Sequence, residues 1–140
     1  MSGKVFIDSN VLVYAYDLDA GIKQRQAEDI LLGLRQARLG ALSMQVLQEF
    51  YTNVTRKIKM PLSKADARGI VNDFAHWCVE TTPAEITRAF QIEDEARIGF
   101  WDALIVAAAI KSGATRILSE ELNPGQIIAG IKIENPFANP

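Results

Sequence analysis

The segment Phe100 to Lys111, FWDALIVAAAIK, constrains this chain more than any other stretch. It is apolar on nearly all sides of a helical wheel, and Asp102 is the only polar side chain between Phe100 and Ile110. A helix of that kind belongs in the centre of a protein, surrounded by other elements. Its uninterrupted apolar run, Ala103 to Ile110, falls far short of the roughly 20 residues that span a bilayer. Gly113 stands where a helix stop is expected. Asp102 is then informative, because a carboxylate in a buried helix costs several kcal/mol unless it is paired or metal-bound. An aspartate in a first helical turn is also favoured by the helix dipole, but that accounts less well for Phe100, Trp101, Ala103 and Leu104 around it.

The rest of the chain supplies the surroundings. Lys4 to Ile7 reads as a buried strand ending at Asp8, with Ser9 and Asn10 as cap residues before a short helix, Val11 to Tyr16. Lys23 to Arg38 is an amphipathic helix with Ala27, Ile30, Leu31 and Leu34 on its apolar stripe, ended by Gly40. Ala41 to Ser43 is a candidate strand. Gln45 to Lys57 is a helix with Val46, Leu47, Phe50, Tyr51 and Val54 inward. After Pro61, Ser63 and Asp66 form a loose capping pair for a helix to about Trp77. Val79 to Thr81 is a possible strand. Thr82 and Pro83 open a helix to about Ala96. Arg116 to Ser119 and Ile131 to Ile133 are further strands, and Asn135 to Pro140 is loop. Strands alternating with helices imply one α/β domain over residues 1–140, with a mostly parallel sheet covered on both faces.

Composition excludes several function classes. The 140 residues carry a net charge of −2, so nucleic acid cannot be bound by bulk charge. A local patch would have to serve, and Arg56, Lys57 and Lys59 are the densest cations, although such a run also suits a solvated helix end. One cysteine, Cys78, allows no internal disulfide and no cysteine-based zinc site. Cys78 and the one histidine, His76, are expected to be structural, which leaves a histidine-assisted nucleophile without its parts. The start of the chain lacks a signal-peptide pattern, and a cytoplasmic location is expected.

Sites in open α/β sheets lie at the carboxyl ends of strands. Asp8 is at such an exit, where an aspartate can equally cap the following helix. Glu49 shares a polar helix face with Gln45, Thr52, Asn53 and Arg56, a face that meets either water or a cleft. Ser119-Glu120-Glu121 follows another strand.

Together, VFIDSNVLVYAYD, LSMQVLQEFY, GFWDALIVAAAIKSGA, ILSEEL and IENPF, in this order, resemble the PIN-domain family, and within it the VapC toxins of bacterial toxin–antitoxin pairs. The resemblance spans nearly the whole chain and implies a three-layer α/β/α sandwich. It makes Asp8, Glu49 and Asp102 the core metal-binding acids, with Ser9, Asn10 and Ser119 in support. The late motif commonly reads Ser/Thr-Glu-Asp, so Glu121 stands here where an aspartate is usual. Glu120 is expected to be dispensable. The resemblance also implies cleavage of structured RNA, a homodimer, and a VapB-like antitoxin as partner.

The chemistry is consistent with these residue types. Clustered carboxylates repel one another and take up protons unless a cation joins them. Oxygen donors without histidine or cysteine suit Mg²⁺ or Mn²⁺ better than zinc. Such an ion can activate a water to attack a phosphodiester, and no nucleophilic side chain is then required. Three other readings share some of these features. One is a PIN nuclease of RNA processing or DNA repair, and another is a PIN-fold interaction module that has lost catalysis. The third, an acidic phosphoryl-transfer protein, fits poorly: a haloacid-dehalogenase-type phosphatase wants an aspartate where Asn10 stands, and a response-regulator receiver wants an acidic pair at the first strand.

Overall fold

Lys4–Ile7 (strand β1) buries Val5, Phe6 and Ile7 in succession. Successive strand side chains point to opposite faces, so burial of all three means that both faces of the sheet are covered there. The computed structural model describes residues 3–138. After β1 come helix α1 (Ser9–Tyr16), α2 (Ile22–Ala37), β2 (Gly40–Ala41), α3 (Met44–Arg56), α4 (Lys64–Phe74), α5 (Pro83–Ala96), α6 (Phe100–Ser112), β3 (Ala114–Leu118), β4 (Ile127–Ile128) and β5 (Ile131–Glu134). The strand order is β2-β1-β3-β5-β4. Strand β1 runs parallel to β2 and β3, and β3 parallel to β5, while β4 is antiparallel to β5. The expected α/β class and mostly parallel sheet are therefore present. Among the described residues no helix is long and apolar enough to cross a membrane.

Helix α6 packs on α5 and on strands β3 and β1, and α1 packs on α2 and α3. As its apolar surface predicts, α6 buries Ala103, Ile105, Val106, Ala107, Ala108 and Ala109. Its first turn departs from that expectation. Trp101 and Asp102 are exposed, so Asp102 incurs only part of the burial cost expected for a carboxylate in this helix. Gly113 ends the helix in the left-handed region, at φ 81°.

Other boundaries shift for identifiable reasons. Asp8, and not Ser9 or Asn10, caps α1, accepting a hydrogen bond from the Ser9 amide. Helix α2 ends at Arg38, which adopts a left-handed φ of 58°. Gly40 does not stop it and lies in β2, where an added Cβ would fall 2.3 Å from the Trp77 ring. The helix expected to reach Trp77 gives way after Phe74 to a 3₁₀ turn over Ala75–Trp77. The strand expected at Val79 to Thr81 is absent: a single parallel bridge, Leu42 to Cys78, stands beside it. Cys78 is half-buried and not fully in the core, and His76 is exposed. Strand β4 was not anticipated. It pairs with β5 through a turn at Ala129 and Gly130, both at positive φ. Of the expected Asn135 to Pro140 loop, Asn139 and Pro140 lie outside the described residues.

Candidate active site

The parallel register of β1 and β3 sets Ile7 beside Leu118. The next residues, Asp8 and Ser119, therefore leave the sheet side by side. The Asp8 amide extends the ladder to the Leu118 carbonyl at 3.0 Å, and the Ser119 hydroxyl donates to Asp8 Oδ2 at 2.7 Å. Asp8 Oδ1 accepts from the Ser9 amide at 2.8 Å, and Asn10 Nδ2 donates to Oδ2 at 3.2 Å. Asp8 is thus buried at a strand exit with its carboxylate oriented from several sides.

The loop after β3 is tied to the same point. The amides of Glu121 and Leu122 both donate to Ser119 Oγ at 3.1 Å, and the Glu120 amide donates to Asn10 Oδ1 at 2.9 Å. Ser119 is fully buried and serves as donor to Asp8 and acceptor for its own loop. Asn10 and Ser119 thus both bond to the Asp8 carboxylate. Ser9 contributes its amide.

Glu49 approaches from α3, whose start is fixed by Ser43 accepting from the Val46 amide. Gln45, one turn earlier, donates weakly to Glu49 Oε2 and to the Trp101 carbonyl, both at 3.4 Å. It thereby links α3 to the first turn of α6, which carries Asp102. A cleft of about 430 Å³ is lined by Ser9, Glu49, Thr52, Asn53, Lys57 and Glu121, among others.

Electrostatics show which acids sense one another. Burial, and then the charges of Glu49 and Glu121, push the Asp8 carboxyl up to about 6 against the hydrogen bonds from Ser119 and Ser9. Burial and Glu49 raise Asp102. Burial, Glu49, Asp102 and Glu120 raise Glu121. Glu49 acts on Asp8, Asp102 and Glu121, and Glu121 also acts on Asp8, so Glu49 links acids from four separate elements. Their mutual repulsion is what a divalent cation relieves. Among the described residues no group of three or more histidine, cysteine, aspartate or glutamate side chains is arranged to hold a metal ion directly. The donor set is all oxygen and loosely spaced, which fits a hydrated Mg²⁺ that keeps several waters.

The basic run divides. Lys57 lines the cleft; Arg56 is exposed outside the cleft lining, and Lys59 stands 3.9 Å from Asp19. A larger cleft, about 650 Å³ beside α2 and β5, contains none of the four acids.

One cluster escaped the sequence reading. Glu120 accepts from the Tyr14 hydroxyl at 2.5 Å and from Lys23 Nζ at 2.6 Å. Partial burial works against its ionised form, but these two bonds prevail and hold Glu120 below the ordinary carboxylate value. The available signal was the four-residue spacing of Asn10 and Tyr14, which puts both on one face of α1.

Residues 5–123 match the family model of the PIN domain. The chain belongs to the PIN-domain family. The fold agrees: a crystal structure of VapBC2 from Rickettsia felis, bound to a DNA fragment from their promoter, contains a chain that superposes with a TM-score of 0.63 at 20% sequence identity, covering 94% of this chain and 97% of that one. No curated protein matches the sequence.

Proposed function

We propose that this PIN-domain protein is a Mg²⁺- or Mn²⁺-dependent endoribonuclease that cuts structured RNA. In this reading it is the toxin of a VapBC-type pair, acting in the cytoplasm as a homodimer and silenced by a VapB-like antitoxin. The observation that carries the reading is the cleft lined by Ser9, Glu49 and Glu121 beside the buried Asp8, with Gln45 reaching from Glu49 to the first turn of α6, which holds Asp102. Family membership and the likeness to a chain of VapBC2 support it.

Asp8, Glu49 and Asp102 would hold the ion, with Glu121 as the fourth acid. Bound there, such an ion would supply activation of a water for attack on a phosphodiester and neutralisation of charge on the phosphate oxygens. The chain's own residues prepare that site. Ser119, Asn10 and the Ser9 amide fix the Asp8 carboxylate before any ion arrives, so little ordering remains to be done on binding. An acidic cleft repels RNA, and Lys57, which lines that cleft, would offset part of the charge. Arg56 and Lys59 would contribute to RNA only outside the cleft.

The test is cleavage of a structured RNA by purified protein, with Mn²⁺ and with a chelator. Cleavage that appears with Mn²⁺ and stops on chelation is expected. Cleavage that continues in chelator would remove the ion from the account. Failure to cleave any RNA, with the fold intact, would favour an interaction module.

A further inference from the structure

Glu120 has three bonded contacts to other elements. Its amide donates to Asn10, and its carboxylate accepts from Tyr14 on α1 and from Lys23 on α2. Lys23 Nζ also lies over the Tyr14 and Phe137 rings, 5.1 and 5.9 Å from their centroids, and those rings meet edge-on at 5.0 Å. The loop between β3 and β4 is therefore clamped at Glu120 to α1 and α2, whose Tyr14 and Lys23 in turn pack against Phe137 after β5. Glu121, the next residue, is exposed and has no side-chain hydrogen bond among the described contacts. Its carboxylate depends on the loop for its position.

The ion pair itself is an unconvincing source of stability. Lys23 and Glu120 retain 39% and 26% of their side-chain exposure, and pairs in that regime contribute little. The same bonds act at full value on geometry, because they restrain a loop that carries Ser119, on which Asp8 depends, and Glu121.

We propose that Glu120 is a positioning residue: with Tyr14 and Lys23 it clamps the Ser119–Leu122 loop so that Glu121 faces Glu49 and Asp102. This departs from the expectation that Glu120 is dispensable, and its consequence for metal binding rests on the function proposed above. Glu120 touches neither ion nor RNA in this arrangement.

Two measurements on Glu120→Gln, Lys23→Met and the double variant test it. The first, amide hydrogen exchange without metal, reads the clamp directly. Exchange at Glu120, Glu121 and Leu122 is expected to quicken at least 10-fold in each variant, with Ile117 in β3 unchanged. The double variant should be no faster than Glu120→Gln, because both changes break one link. The second is Mn²⁺ affinity, from paramagnetic broadening of the Asp8 and Glu121 resonances. It should weaken by about 10-fold to 100-fold in Glu120→Gln, as when a ligand's orienting partner is lost. Unaltered loop exchange would overturn the clamp. Faster loop exchange with unaltered Mn²⁺ affinity would overturn the positioning role, as would a lowered melting temperature as the sole effect. Failure of the unmutated protein to bind Mn²⁺ would overturn the metal site and the positioning role toward it, while loop exchange would still decide the clamp.

Discussion

The Ser119 hydroxyl donates to the Asp8 carboxylate at 2.7 Å, joining residues 111 positions apart at the exits of neighbouring parallel strands. The same oxygen accepts the amides of Glu121 and Leu122. Ser119→Ala removes one bond to a buried carboxylate and strands two amides. It should cost about 1–3 kcal/mol in urea denaturation and weaken Mn²⁺ binding about 10-fold or more. Ser119→Thr keeps the hydroxyl and should recover most of the affinity. Equal loss in both variants would assign the effect to packing at this fully buried position.

Stability should depend on pH through Asp8. Its carboxyl is raised from 3.8 to about 6 on folding, mainly by burial. The folded protein holds that proton more tightly than the unfolded chain does. The resulting stabilisation is complete below about pH 4 and lost as pH rises through about 6, a loss of ~3 kcal/mol at 1.36 kcal/mol per unit. Asp102 and Glu121, also raised, add to the loss in the same direction. In metal-free buffer the unmutated protein should therefore lose stability relative to Asp8→Asn between about pH 4 and 7. Urea denaturation across that range checks this, and a constant difference would refute it. Saturating Mn²⁺ should restore stability at the upper end, since an ion that binds only the folded state favours it.

Glu121 should tune the ion without being essential. It is exposed and is one methylene longer than the usual aspartate, so ordering it costs more side-chain entropy. Glu121→Gln should raise the Mn²⁺ needed for half-maximal cleavage by about 10-fold to 100-fold and leave substantial rate at saturation. Inactivity equal to that of Asp102→Asn would make it a full ligand.

The parts of this molecule legible in its sequence are those set by local pattern. Helix α6 was fixed by its apolar surface, and the Asp8 strand exit by KVFI followed by polar residues. What escaped was set by partners distant in sequence. The exposure of Asp102 depends on which side of the first turn of α6 its neighbours leave open. The expected strand at Val79 found only the Leu42–Cys78 bridge, although its residue types suit a strand. Strand β4 is two residues long, below what periodicity can register. Gly40 resembled a helix stop because the Trp77 ring that needs its bare Cα lies far along the chain. The Glu120 clamp joins three separate segments, and only the Asn10–Tyr14 spacing hinted at it.

The central claim is that the acids around Asp8 cut RNA with a metal ion. The most direct measurement compares single-turnover cleavage of a structured RNA by the unmutated protein and Asp102→Asn at saturating Mn²⁺. Asp102 is exposed on the first turn of α6, so its replacement should leave the fold intact, as circular dichroism would verify. A rate reduced at least about 100-fold, equivalent to about 2.7 kcal/mol of lost transition-state stabilisation, is the predicted result. Undiminished cleavage by a folded Asp102→Asn, free of contaminating nuclease, would contradict the account.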